Sequence, residues 1–188
     1  MLDDGKTAER INPAVLPWKG RETSKKNLLF FGHLMFHQQF MDCIVLHTEE
    51  GGIDGVAYIL PYSVQPSARQ KHRIYLKNML LTEDGDGILP DWAVFTKCII
   101  NARELRPTAS RESFYKDDML DKAREALGKC ISNHLKRMAL NDKAAFAKFL
   151  NIHSLAVKSI AIDNDELYKL FIDDLEFITT KGTMTGHE

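Results

Sequence analysis

The chain has little to hold it by covalent or metal staples. Its 188 residues include three cysteines, Cys43, Cys98 and Cys130, odd in number, far apart and without a C-x-x-C spacing. That argues for a reducing compartment and excludes a disulfide framework or a thiolate zinc site. Charge of one sign is also missing. With 25 Lys and Arg against 26 Asp and Glu the formal net charge is -1, which leaves no electrostatic footprint for nucleic acid or an anionic membrane. No apolar run approaches membrane-spanning length, and residues 1–10 are polar and mixed in charge with no apolar signal region. The phosphate-cradling G-x-x-x-x-G-K-[ST] loop, the dinucleotide G-x-G-x-x-G and the nucleophile elbow G-x-S-x-G do not occur. The expectation is a cytoplasmic chain without a self-sufficient active site.

What is present divides into a strand-rich half and a helical half. Residues 1–10 read as a linker. Pro13 and Pro17 keep the next stretch extended, and Trp18 reads as an anchor on a sheet face. Ser24 or Thr23 can cap a helix to Phe36 carrying Leu28, Phe31, Leu34 and Met35 at helical spacing. Two β-rich runs, 43–48 and 55–62, flank Glu49-Glu50-Gly51-Gly52 and predict a hairpin. A third strand is expected over 74–81, a turn at 83–87, one helical turn after Pro90 and a fourth strand over 96–101. Asp117 or Asp118 can cap a long helix to Leu140 whose apolar stripe is Met119, Leu120, Ala123, Leu127, Ile131, Leu135 and Met138. Shorter helices are expected from Asn141 or Asp142, from Ser154 and from Asn164, with a frayed tail from Thr179. The fold class is α/β: a layered lobe with a mostly antiparallel sheet, followed by a helical bundle. By position, 11–115 form the lobe, 116–180 the helical connector and 181–188 the tail.

The seam at 102–116 concentrates the chemistry. Pro107 disfavours a helical Arg106, so an extended turn carries Arg103, Arg106 and Arg111. Guanidiniums on such a turn suit planar recognition of carboxylate or phosphate, or else pair with nearby Glu104 and Glu112. His33 and His37 share a helix face at ligand spacing but lack a third ligand. Asp84-Gly85-Asp86-Gly87 lacks the later acids of a calcium loop and reads as a turn. Phe30, Phe31, Phe36, Phe40 and Met41 form a dense apolar group that is either core or an exposed patch for another protein.

Three ordered blocks carry a resemblance: 73–81 (RIYLKNMLL), 88–92 (ILPDW) and 104–112 (ELRPTASRE). Together they resemble the heat-shock protein 90 chaperones, bacterial HtpG included, over about residues 11–180. The resemblance implies a middle-domain fragment of a longer chaperone, with the nucleotide-binding and carboxy-terminal dimerisation domains outside this chain. It implies ATP and Mg in that separate nucleotide domain and none bound here, and a full-length homodimer with client proteins and co-chaperones as partners. By motif position Arg111 is the arginine that reaches the terminal phosphate of ATP. Tyr115 stands where the family has a glutamine turned toward the same site, and Thr108 where it has an asparagine. A client-contacting tryptophan of several members falls near Phe40, so Phe36, Phe40 and Trp18 are the expected client-binding residues. The isolated chain is expected not to be an enzyme, although the full-length ATPase is. The alternative is a non-catalytic module whose loop arginines grip an acidic protein partner.

Overall fold

The structure, a computed structural model, describes Trp18 and residues 24–110, 112–160, 169, 171–172, 176–179 and 182–185. The linker at 1–10, the stretch at 11–17 and most of the helix expected from Asn164 lie outside the described residues.

Helix α1, Lys25–Phe36, begins where Ser24 stays extended and its hydroxyl accepts from the Asn27 N–H at 3.2 Å, satisfying one of the donors a helix start leaves open. It ends at His37, whose left-handed backbone (φ 53°) sends its N–H to the His33 carbonyl. Strands β1, Asp42–Thr48, and β2, Ile53–Ile59, form the expected hairpin around a short 3-10 turn, Glu50–Gly52. Gly51 in that turn has φ 74°, and a Cβ on it would meet Leu105 Cδ2 at 3.0 Å, so only glycine fits both the turn and the packing.

The stretch read as one strand over 74–81 is two. Strand β3, His72–Leu76, turns at Lys77 and Asn78, both with positive φ (50° and 66°), into β4, Met79–Gly85. Two successive left-handed residues match the twist of a tight hairpin. The cost of that conformation in Lys77 and Asn78 is offset from outside the turn. The Asn78 N–H donates to Asn101 Oδ1 at 2.8 Å, Asn101 Nδ2 donates back to Asn78 Oδ1 at 3.1 Å, and the Lys77 N–H meets the Ala102 carbonyl at 2.8 Å. Residues 83–85, expected as a turn, therefore continue β4.

Strand β5, Thr96–Ala102, completes a sheet in the order β1-β2-β5-β3-β4. Its pairs are antiparallel except β3 with β5, which is parallel. Alternation sends Ile44, Leu46, Ile53, Ala57, Ile59, Cys98 and Ile100 to one face, and Cys43, Val56, Tyr58 and Ile99 to the other. Helix α2, Asp118–Asn141, is capped by Asp117, whose carboxylate accepts from the Leu120 N–H at 3.0 Å. It lays Leu120, Ala123, Leu127, Ile131 and Leu135 on the first face, where they share one core with Leu105 and Phe114. Helix α3, Lys143–Ile160, runs through the expected break at Ser154 with only His153 off helical geometry. That ring is fully buried and bridges to the sheet, Nε2 donating to the Leu60 carbonyl at 2.9 Å. The second face is covered by α1 and Trp18. The α1 backbone lies close enough to the sheet that a Cβ on Gly32 would collide with the Tyr58 ring.

Near the end, β6, Glu176–Thr179, pairs antiparallel with β7, Gly182–Thr185. The sequence reads this stretch as the end of the helical connector region at 180 and a frayed tail from Thr179; residues 176–179 and 182–185 pair as strands instead.

Candidate functional site

The seam is built from its roots. At the end of β5 the Arg103 and Glu104 N–H groups both donate to the Gly51 carbonyl at 3.1 Å, and Leu105 is buried in the pocket that Gly51 leaves. The chain then rises and returns. Pro107 bridges Phe114, the Thr108 N–H donates to the Ser113 carbonyl at 2.9 Å, and the Tyr115 N–H donates to the Arg106 carbonyl at 2.9 Å. The Thr108 hydroxyl adds a bond to the same Ser113 carbonyl at 3.2 Å and lies 3.1 Å from the Ser110 hydroxyl. Phe114 is buried in the core on the returning side. The result is a closed loop with apolar roots at Leu105 and Phe114 and exposed Ala109, Ser110 and Glu112 at its tip. Arg111 lies outside the described residues.

The other two arginines are engaged. Arg103 Nη2 is 2.8 Å from Asp54 Oδ2, and the second oxygen of that carboxylate is 2.8 Å from His47 Nδ1. Arg106 lies over the Tyr115 ring, 5.5 Å from its centroid, a cation–π contact. Neither uses Glu104 or Glu112, the local partners expected from sequence. Tyr115 is half exposed and holds Arg106 with its face.

The expected client-contact residues form a second group, on the α1 face. Trp18 is buried edge-on to Phe31 at 6.1 Å, and its indole Nε1 has no acceptor among the described residues. Phe36 and Phe40 are half-buried against each other and against Tyr58, with centroids 5.7, 6.1 and 4.7 Å apart, and Lys97 Nζ sits 5.4 Å from the Phe36 centroid. The outward side chains of α1 are Phe30, 62% exposed, and Leu34, 49% exposed; the group is thus core on its inner side and apolar surface on its outer side.

Elsewhere the chemistry is quiet. Among the described residues no three His, Cys, Asp or Glu side chains gather as a metal site, and His33 and His37 are exposed at the end of α1. Burial and the neighbouring Asp42 carboxylate push the Cys43 thiol up to about 11, and burial pushes Cys98 up as well, so neither is a thiolate nucleophile near neutral pH. Two clusters had no signal in the sequence. Asp42, buried at the start of β1, accepts from Lys25 Nζ of α1 at 2.7 Å, from the Cys43 N–H at 2.7 Å and faces His134 Nε2 of α2 at 3.1 Å. Burial alone would raise its carboxyl, but the bonds from His134, Lys25 and Cys43 hold it below the ordinary value. His72, expected in a basic loop, is buried at the start of β3 and its Nδ1 accepts from the Cys98 N–H at 3.2 Å. No described helix is long and apolar enough to cross a membrane.

Comparison with known proteins meets this geometry. The family model described as Hsp90 protein matches residues 61–186, more than half of the chain and inclusive of the loop. The chaperone protein HtpG of Anaplasma phagocytophilum is 25% identical over 158 residues, spanning 79% of this chain and 25% of that protein. HtpG of Campylobacter jejuni is 24% identical over 196 residues, spanning 96% and 32%. The chain thus covers about a quarter to a third of the length of these relatives. Among solved structures, the middle domain of a Plasmodium falciparum heat shock protein superposes with a TM-score of 0.68 at 15% identity, covering 91% of this chain and 71% of that one, and so shares its fold. The chain belongs to the Hsp90 protein family.

Proposed function

We propose that the chain works as the middle segment of an ATP-dependent chaperone, assisting protein folding in the cytoplasm. In this reading Arg111 is presented to the terminal phosphate of ATP, held with Mg by a nucleotide domain outside this chain. The observation that supports it is the loop at 106–115. It is closed by Thr108, Ser113 and the Pro107–Phe114 bridge and rooted in the core at both ends; Arg106 within it lies over the Tyr115 ring, and Arg103 just before it pairs with Asp54. A rigid base under a single short tip suits a cation that must meet charge developing on a transferring phosphoryl group. Tyr115, with its ring under Arg106, would then help set the loop rather than replace a glutamine's paired donor and acceptor. The half-buried Phe36 and Phe40, backed by Trp18, would form part of the client surface.

The reading of the loop as a grip for an acidic partner is weakened by the same contacts, since Arg103 and Arg106 are occupied. The test is Arg111→Ala in the full-length chaperone. A fall in ATP turnover of roughly 10³ or more is expected for an arginine acting on phosphoryl transfer. Unchanged turnover overturns the assignment, and a salt-sensitive complex with acidic proteins that needs no nucleotide would favour the binding module instead.

A further inference from the structure

Helix α1 meets the sheet with one side and leaves the other exposed. Lys26, Phe30, His33, Leu34 and His37 are all exposed, and their spacing sets them in one stripe down the helix. Phe30 and Leu34 form its apolar centre, and Lys26, His33 and His37 border it. The helix sequence KKNLLFFGHLMF contains no acid. The carboxylate that α1 does meet, Asp42, is buried and already shared by Lys25 and His134. Lys97 Nζ, over the Phe36 ring, adds a further cation where the helix ends. In a chain whose formal charges sum to -1, this face segregates cations around two emergent apolar side chains.

What can dock there follows from the helix itself. Around Phe30 and Leu34 the backbone N–H and C=O groups are spent within α1, so the helix offers no edge to an extended chain. Such a chain would lay its own polar backbone against apolar side chains. A second helix arrives with its backbone already satisfied. Its apolar side chains three or four residues apart match the pitch of Phe30 and Leu34, and carboxylates beside them meet Lys26, His33 and His37. His33 Nδ1 donates to the Gln38 carbonyl at 3.2 Å, which leaves Nε2 to face a carboxylate. A bilayer is the poorer match, because two apolar side chains insert little area. At 12 residues α1 is about 18 Å long. One stripe of that length falls short of the roughly 1,200 Å² of a stable interface, so the contact is transient. We propose that the outer stripe of α1 docks an acidic amphipathic helix of a protein partner. The proposal narrows the client surface described above to one class of segment, and it rests on that reading for the source of the helix.

The test titrates the ¹⁵N-labelled 188-residue chain with a synthetic peptide of about 18 residues, long enough to hold a helix. The peptide carries leucine at every third or fourth position and glutamate beside each leucine. One control replaces every glutamate with lysine; the other scrambles the order so that the leucines no longer share a face. The amides of residues 26–37 should shift saturably with a Kd of about 10⁻⁴ M, and each control should bind at least about tenfold more weakly. Lys26→Glu should weaken the glutamate peptide by about fivefold and strengthen the lysine peptide, a reversal that damage to the fold cannot produce. No saturable shift at about 1 mM peptide overturns the site. Equal binding of the lysine peptide overturns the acidic class, and equal binding of the scrambled peptide overturns the helix. Phosphatidylserine vesicles that move the same amides more than the peptide does make the face a membrane surface and overturn the proposal. In the full-length chaperone, the glutamate peptide should displace reduced, carboxymethylated α-lactalbumin. Binding at α1 without displacement keeps the docking site and refutes the client reading instead.

Discussion

His72 makes the fold sensitive to acid in a defined window. In the folded chain its pKa is pushed down to about 4, first by burial and then by Lys97, with Asp86 opposing; in the unfolded chain it returns to about 6.5. Between those values the unfolded state binds a proton that the folded state refuses. Stability is therefore complete above about pH 6.5 and falls as the pH drops toward about 4. A gap of that size corresponds to about 3 kcal/mol, with a slope that approaches about 1.4 kcal/mol per pH unit in mid-window. That is a large share of the roughly 5–15 kcal/mol that holds a domain folded. His153, also buried and lowered, adds a slope of the same sign, first through burial, so the informative quantity is the difference between two proteins. His72→Asn keeps an acceptor for the Cys98 N–H and removes the titration. Urea unfolding of both forms at pH 7, 6, 5 and 4.5 should show the variant losing less stability across the series, by about 2–3 kcal/mol. Parallel curves for the two proteins would refute the argument, because no other property of that ring depends on pH in this window.

Further outcomes follow from particular contacts. Asp42→Ala removes the acceptor shared by α1, β1 and α2 and leaves a buried Cys43 N–H unsatisfied; a loss of about 2–3 kcal/mol in urea unfolding is expected, the low end for a broken pair because Lys25 keeps access to water. Asn78→Val should cost about 2 kcal/mol, through the positive φ and the severed exchange with Asn101, and thermal unfolding would show it. Gly32→Leu should lift α1 off Tyr58, with a loss of roughly 3 kcal/mol or more and a changed tyrosine near-ultraviolet signal, the outcome of overpacking where backbone meets ring. In the full-length chaperone, Phe30→Ser with Leu34→Ser should change stability by less than about 1 kcal/mol, since both are exposed, and weaken capture of an unfolded client if the α1 face serves as proposed.

The parts of the fold visible in sequence were those set by local chemistry. Ser24 ahead of an amphipathic run, Gly51-Gly52 between two β-rich runs, and Asp117 before the stripe from Leu120 to Met138 each marked an element that the structure contains. The turn at Lys77–Asn78 was not visible, because neither residue is glycine and apolar residues continue on both sides. Its left-handed backbone is held by Asn101, 23 residues away in sequence. The same reason hid the partners of the seam. Arg103 found Asp54 across β2 rather than the adjacent glutamate, and Arg106 found the face of Tyr115. His72 read as part of a basic loop, and only the pairing of β3 beside β5 brings its ring under the Cys98 backbone. The family was legible because ordered blocks of side chains persist where pairwise contacts cannot be read.

The closure of the loop by Thr108 and Ser113 also sets a radius of action. Only four residues, 109–112, separate the two closing positions, and a chain advances at most about 3.5 Å per residue. An arc that must leave and return can project its backbone no more than about 7–9 Å beyond its base. So short an arc has no length to act as a long swinging arm. In the function proposed above, the anion is therefore carried to Arg111 by motion of the body that holds it, and the timing of that encounter belongs to that body's motion rather than to the loop.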